Sequence, residues 1–101
     1  MIYVIYSTFP SEKAAMEMGA ILISKKLAVC SNIFQVTSQY EWEGKSETEK
    51  EYAAFFKTST EKLENALAHI EGNHPYKVPL ITHQLKQLNT SYEKWMMTQL
   101  G

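Results

Sequence analysis

The clearest pattern in the chain is an alternation that begins at Asn32. Phe34, Val36, Ser38, Tyr40 and Trp42 fall on one face of an extended segment, and Gln35, Thr37, Gln39, Glu41 and Glu43 on the other, with Ile33 the exception. Successive side chains of a strand point to opposite faces, so period two over this length predicts a long strand. Gly44-Lys45 is the expected turn. A return strand follows from about Glu47 to Thr58, with Tyr52, Ala54, Phe56 and Thr58 on one face and Ala53, Phe55 and Lys57 on the other. Upstream, IYVIYST (2–8) is an unbroken run of β-formers, which predicts a strand buried on both faces. Pro10 and Ser11 then introduce a helical pattern through Ala14, Ala15, Met18, Ile21 and Leu22, with Lys25 and Lys26 expected in its last turn, where cations suit the dipole. Gly19 weakens that helix and is expected to mark close packing.

Beyond the hairpin, Thr58-x-x-Glu61 has the form of a capping box, Leu63, Ala66, Leu67 and Ile70 form an apolar stripe, and Gly72 is a suitable stop. NHPYKVP (73–79) carries two prolines and is expected to be irregular. LITHQLKQL (80–88) reads as a fourth strand, and Thr90-x-x-Glu93 as the cap of a short last helix bearing Tyr92, Trp95, Met96 and Leu100. The order is βαββαβ plus a final helix. It predicts an α+β, ferredoxin-like sandwich with a long second hairpin, in one domain spanning 1–101. That fold hosts many activities and names none of them.

The hairpin looks too long for such a domain. The thirteen residues from Ser31 to Glu43 would span about 43 Å at the usual rise per residue. A globule of this size has a radius of gyration near 13 Å, hence a diameter of about 34 Å. Either the strand bends at a bulge or it overshoots its own domain and exposes Tyr40, Trp42 and Tyr52 with bare strand edges. A second copy of the chain would cover both, so a homo-oligomer held by exchanged arms is expected.

Composition removes several classes. The net charge is −1, and no arginine is present to clamp phosphate or guanine, so no nucleic-acid partner is expected. The apolar start Met1–Tyr6 is too short for a signal peptide or a membrane span, and no membrane partner is expected. A single cysteine, Cys30, fits a reduced, cytoplasmic protein. There is no HExxH, CxxC or phosphate-cradling glycine loop, and no enzymatic activity is expected.

Five ordered strings in the chain carry a resemblance. They are Ala28-Val29-Cys30-Ser31-Asn32-Ile33; the hairpin S-x-Y-x-W-x-G-K at Ser38, Tyr40, Trp42, Gly44 and Lys45; Lys57-Thr58; His74-Pro75-Tyr76-Lys77-Val78-Pro79; and Asn89-x-x-Tyr92-x-x-Trp95. The chain resembles the CutA divalent-cation tolerance family. The resemblance implies a tight homotrimer with hairpins wrapped around neighbouring subunits, similar to the PII signalling proteins, and a link to copper and other divalent metals. No tightly bound cofactor is implied. Cys30 and His74 become the candidate metal ligands, a thiolate and an imidazole suiting copper or zinc. The bland readings are a small buried hydrophobe for Cys30 and a loop histidine bonded to backbone for His74. Lys77 and Leu80 stand where the family usually has acids, which removes oxygen ligands near His74. An alternative is a small anionic effector held in a PII-like cleft by Lys45, Lys57, Tyr76 and Lys77. Glu41, Glu43, Glu47, Glu49 and Glu51 gather at the hairpin and read as a solvated strand face.

Overall fold

The computed structural model describes residues 1–101. The elements are β1 (Ile2–Phe9), α1 (Glu12–Ser24), β2 (Cys30–Trp42), β3 (Lys45–Thr58), α2 (Leu63–Asn73), β4 (Ile81–Lys86) and α3 (Thr90–Leu100). The strands form a four-stranded antiparallel sheet in the order β2-β3-β1-β4. This is the predicted α+β arrangement.

The two faces of the sheet are covered differently. Helices α1 and α2 pack on one face, where Ile5, Phe9, Leu22, Phe56 and Ile70 are fully buried. Gly19 lets α1 approach β2 closely: a Cβ there would stand 2.6 Å from Ser31 Oγ and 3.0 Å from Ser31 Cβ. Helix α3 covers only one end of the other face, where Ile2, Val29, Met96 and Leu100 form a second, smaller core. The rest of that face is open. The rings of Tyr6 and Phe55 meet tilted at 5.5 Å and those of Phe55 and Phe34 at 5.3 Å, and Phe34 and Phe55 remain 39% and 36% exposed. In this chain β1 is therefore buried on one face and only partly covered on the other, not on both as its apolar run predicts.

Local chemistry shifts several boundaries. The Ser11 side chain caps α1 by accepting from the Ala14 N–H at 3.1 Å. Lys25 and Lys26 lie past the last turn rather than in it. Lys26 takes φ +60°, and the Lys26 and Leu27 N–H groups return to the Ile23 and Leu22 carbonyls, a Schellman closure with lysine in the position glycine usually takes. The hairpin turn is Glu43-Gly44, at φ +51° and +77°, with Trp42 paired to Lys45. Left-handed backbone at both central residues is the signature of a type I′ turn, and it lies one residue earlier than the expected Gly44-Lys45 turn. Thr58 is no helix cap, because it is still paired to Tyr3 as the last residue of β3; α2 starts at Leu63 without a side-chain cap. Gly72 lies within the last turn of α2, which ends at Asn73. The last helix begins after Asn89 rather than being capped by Thr90.

The hairpin does overshoot. Its register runs unbroken from Cys30↔Lys57 to Trp42↔Lys45, so no bulge bends it. β1 pairs β3 only from Thr58 to Tyr52. The seven pairs from Val36↔Glu51 to Trp42↔Lys45 are a free two-stranded ribbon. The chain measures 47 × 23 × 20 Å with a radius of gyration of 14.4 Å, longer than the sphere expected for its length.

Candidate functional site

The root of this arm meets the loop after α2. His74 ends α2 with extended backbone, and Pro75 prevents the helix from continuing. The Tyr76 N–H donates to His74 Nδ1 at 3.1 Å, and Ser7 Oγ lies 3.0 Å from His74 Nε2. Ser7, fully buried on β1, donates onward to the Leu80 carbonyl at 2.7 Å. The imidazole stacks on Phe9 at 4.6 Å and on Tyr76 at 5.4 Å. Desolvation holds the His74 pKa below its ordinary value, a contact with the Thr8 backbone opposing only in part. The Tyr76 hydroxyl donates to Glu51. Burial first, then the hydrogen bond and charge of Glu51, push the Tyr76 hydroxyl well above its usual range.

Beside this junction lies a groove of about 560 Å³, lined by Tyr40, Trp42 and Tyr76 with Glu47, Glu49 and Glu51. Cross-strand pairing explains the mixture. Tyr40 faces Glu47, Ser38 faces Glu49 and Val36 faces Glu51, so these carboxylates share the aromatic face of the ribbon. Glu51 is only 8% exposed, a correction to its reading as part of a solvated face. Glu41 pairs with Ser46 on the reverse side, and Glu43 is in the turn. A larger hollow of about 720 Å³ lies between α3 and Ser59–Glu61, and it holds none of the predicted site residues.

The structure brings together some of the predicted residues and separates others. Tyr76 and Lys77 line the groove with Tyr40 and Trp42. Lys45 and Lys57 occupy opposite ends of β3, so within one chain they cannot hold one anion. Tyr40 and Trp42 are 40% and 54% exposed, whereas Tyr52 faces the helices, half-buried against the main core and paired with Phe9. Tyr52 is thus accounted for inside its own chain, because the period-two alternation turns it away from the open face. Cys30 starts β2 on the face that carries α3, with Val4, Leu88 and Tyr92 around the smaller core. Its thiol is free, approaches Asn32 Oδ1 at 3.9 Å and lies beside the Tyr92 hydroxyl. Burial and the Cys30 thiol push the Tyr92 hydroxyl up. His74 binds Ser7 on the opposite, helix-covered face, so Cys30 and His74 form no common site within a chain. No three His, Cys, Asp or Glu side chains of the chain converge where they could hold a metal ion.

Sequence reasoning missed Ser7, Phe9 and the special place of Glu51. Ser7 and Thr8 are the two small hydroxyl residues in the run 2–8, and Ser7 is the one with the parity of the buried Ile5 and Phe9, which was a usable signal. It also missed Tyr6 and Phe55 as part of the open aromatic face.

A four-stranded split βαβ sandwich with a projecting arm defines a ferredoxin-like α+β protein. The family model described as "CutA1 divalent ion tolerance protein" matches residues 3–99. A divalent-cation tolerance protein CutA of Thermotoga maritima is 40% identical over 93 residues, covering 91% of this chain and 92% of that one. A crystal structure of divalent ion tolerance protein CutA1 from Ehrlichia chaffeensis superposes with a TM-score of 0.95 at 30% identity, covering 99% and 95% of the two chains. A structure from Archaeoglobus fulgidus, described as a periplasmic divalent cation tolerance protein, gives 0.92 at 32% identity over the full length of both. The chain belongs to the CutA1 divalent ion tolerance family, and its place is among proteins of metal tolerance rather than in a known enzyme family. No helix is long and apolar enough to cross a membrane.

Proposed function

We propose that the chain serves divalent-metal tolerance as a cytosolic homotrimer, a binding protein that takes up copper or another divalent cation in clefts formed where chains meet. The observation that carries this reading is the composition of the free ribbon. Tyr40 and Trp42 share one face with Glu47 and Glu49, and neither strand of the ribbon is paired on its outer edge. Burying the aromatics against a neighbour takes the carboxylates out of water as well, and a buried carboxylate needs a cationic or hydrogen-bonding partner. A neighbouring lysine or a divalent cation meets that need.

A single chain lacks a three-donor cluster, so the ligands must come from more than one chain. Cys30 supplies a free soft donor. The anionic-effector reading draws on Lys77 beside Tyr76, but the groove also carries the carboxylates of Glu47, Glu49 and Glu51, which repel an anion. The free thiol supports a reducing compartment.

The test is calorimetric titration of reduced, metal-stripped protein with copper and zinc, with solution mass measured on the same sample. Saturable binding by a trimer, lost in Cys30→Ser and weakened in Glu49→Gln, is expected. A monomer, or a trimer with only non-saturating metal uptake, would sink the proposal.

A further inference from the structure

The resemblance nominates His74 as a metal ligand, but its surroundings use it otherwise. A ring nitrogen that accepts from a backbone N–H carries no proton, so the 3.1 Å bond from Tyr76 makes Nδ1 the bare nitrogen. Ser7 has one hydroxyl hydrogen and gives it to the Leu80 carbonyl at 2.7 Å. Nε2, 3.0 Å from Ser7 Oγ, must therefore be the protonated nitrogen and donate to that oxygen. In this neutral tautomer no lone pair is left for a cation. The stack on Phe9 at 4.6 Å and 17° fixes the plane of the ring. The residue whose N–H binds Nδ1 also sends its hydroxyl to the buried Glu51 carboxylate, where the ribbon leaves the sheet.

We propose that His74 is a positioning residue and not a metal ligand: it clasps the loop 74–80 to β1 and, through Tyr76 and Glu51, to the root of the arm. The clasp joins the end of α2, β1, the loop before β4 and β3. It stands on contacts within one chain, so it does not depend on trimer formation or on metal uptake. Glutamine can place one acceptor and one donor much as this tautomer does, whereas alanine offers neither.

The test is amide hydrogen exchange on the whole chain, with zinc titration of the same variants. In His74→Ala the Tyr76 amide should exchange about tenfold faster or more, while the amides of Ile5 and Phe56 keep their protection. His74→Gln should restore most of the Tyr76 protection. Zinc affinity should change by less than about twofold in His74→Gln, where loss of a ligand would cost about tenfold or more. Unchanged exchange at Tyr76 in His74→Ala overturns the clasp, and a tenfold loss of zinc affinity in His74→Gln restores the ligand role. Should His74→Ala fail to fold, His74→Gln still decides: loss of Tyr76 protection in that variant also overturns the proposal. If the wild type takes up no zinc, the exchange measurements decide alone.

Discussion

The arm is where the proposed assembly is most exposed to refutation, and Tyr40→Ala/Trp42→Ala is the perturbation. Trp42 is 54% and Tyr40 40% exposed in the isolated chain. With side-chain areas of about 250 and 200 Å², they present about 135 and 80 Å² to solvent. At about 25 cal/mol per Å², covering both on a neighbour contributes about 5 kcal/mol per arm. Truncation in a lone chain costs little, because those surfaces are already wet. The loss therefore falls on association, and it weakens each docked arm by a factor of thousands. Sedimentation velocity across micromolar concentrations reads the effect. Wild type should sediment at three chains and the double variant at one, with Gln39→Ala/Glu41→Ala on the reverse face as a control that keeps the wild-type mass. A monomeric wild type, or a double variant of unchanged mass and stability, would refute the reasoning.

Further outcomes can be read by denaturation at fixed protein concentration. Gly19→Ala should destabilise by about 1–3 kcal/mol, because overlap with Ser31 at 2.6 and 3.0 Å outweighs the roughly 1 kcal/mol gained in helix propensity, and Ser31→Gly should recover part of the loss. Thr58→Val should stabilise by about 1 kcal/mol, since Thr58 Oγ1 is buried without a partner and valine keeps the shape without the hydroxyl. His74 has a folded pKa below its unfolded value of about 6.5, so the unfolded chain binds more protons as pH falls. Its contribution is complete above that value and is lost as pH drops through the folded pKa. Stability should therefore fall more steeply below pH ~6.5 in wild type than in His74→Gln, and parallel profiles would remove His74 as the cause.

What was legible in the sequence was what period and turn chemistry control. The alternation from Phe34 to Trp42 specifies a strand whatever surrounds it, and its excess length already separates the arm from the body. The open aromatic face was only half legible. Phe34, Tyr40 and Trp42 follow one alternation, but Tyr6 ends the stretch Ile2–Tyr6, which is apolar at every position, where periodicity cannot say which face stays uncovered. Tyr52 was misplaced because it was grouped by residue type with Tyr40 and Trp42, whereas it pairs with Gln35 on the opposite face, where the main core covers it; moving the two-residue turn by one leaves that parity unchanged. The site was less legible still. Cys30 and His74 are attractive by residue type, yet their separation onto opposite faces follows from the pairing of β2, β3 and β1 and from the path of the loop. Ser7 and Glu51 matter through contacts with residues distant in sequence.

The ribbon combines two properties that oppose each other in a lone chain. Its aromatics favour burial, while Glu47 and Glu49, on the same face, favour water. In an unpartnered chain the carboxylates keep the ribbon hydrated and discourage indiscriminate edge pairing. In an assembly the same carboxylates reward only those neighbours that bring positive charge. Specificity is then a difference in free energy between a partner that supplies cations and one that does not. Lys77 already lines the groove within the chain and brings one positive charge to it. Its replacement by glutamate should therefore raise the requirement for an external cation. Lys77→Glu is expected to make solution mass more dependent on added divalent metal than in wild type, and equal metal dependence in the two proteins would break the connection between arm docking and cation uptake.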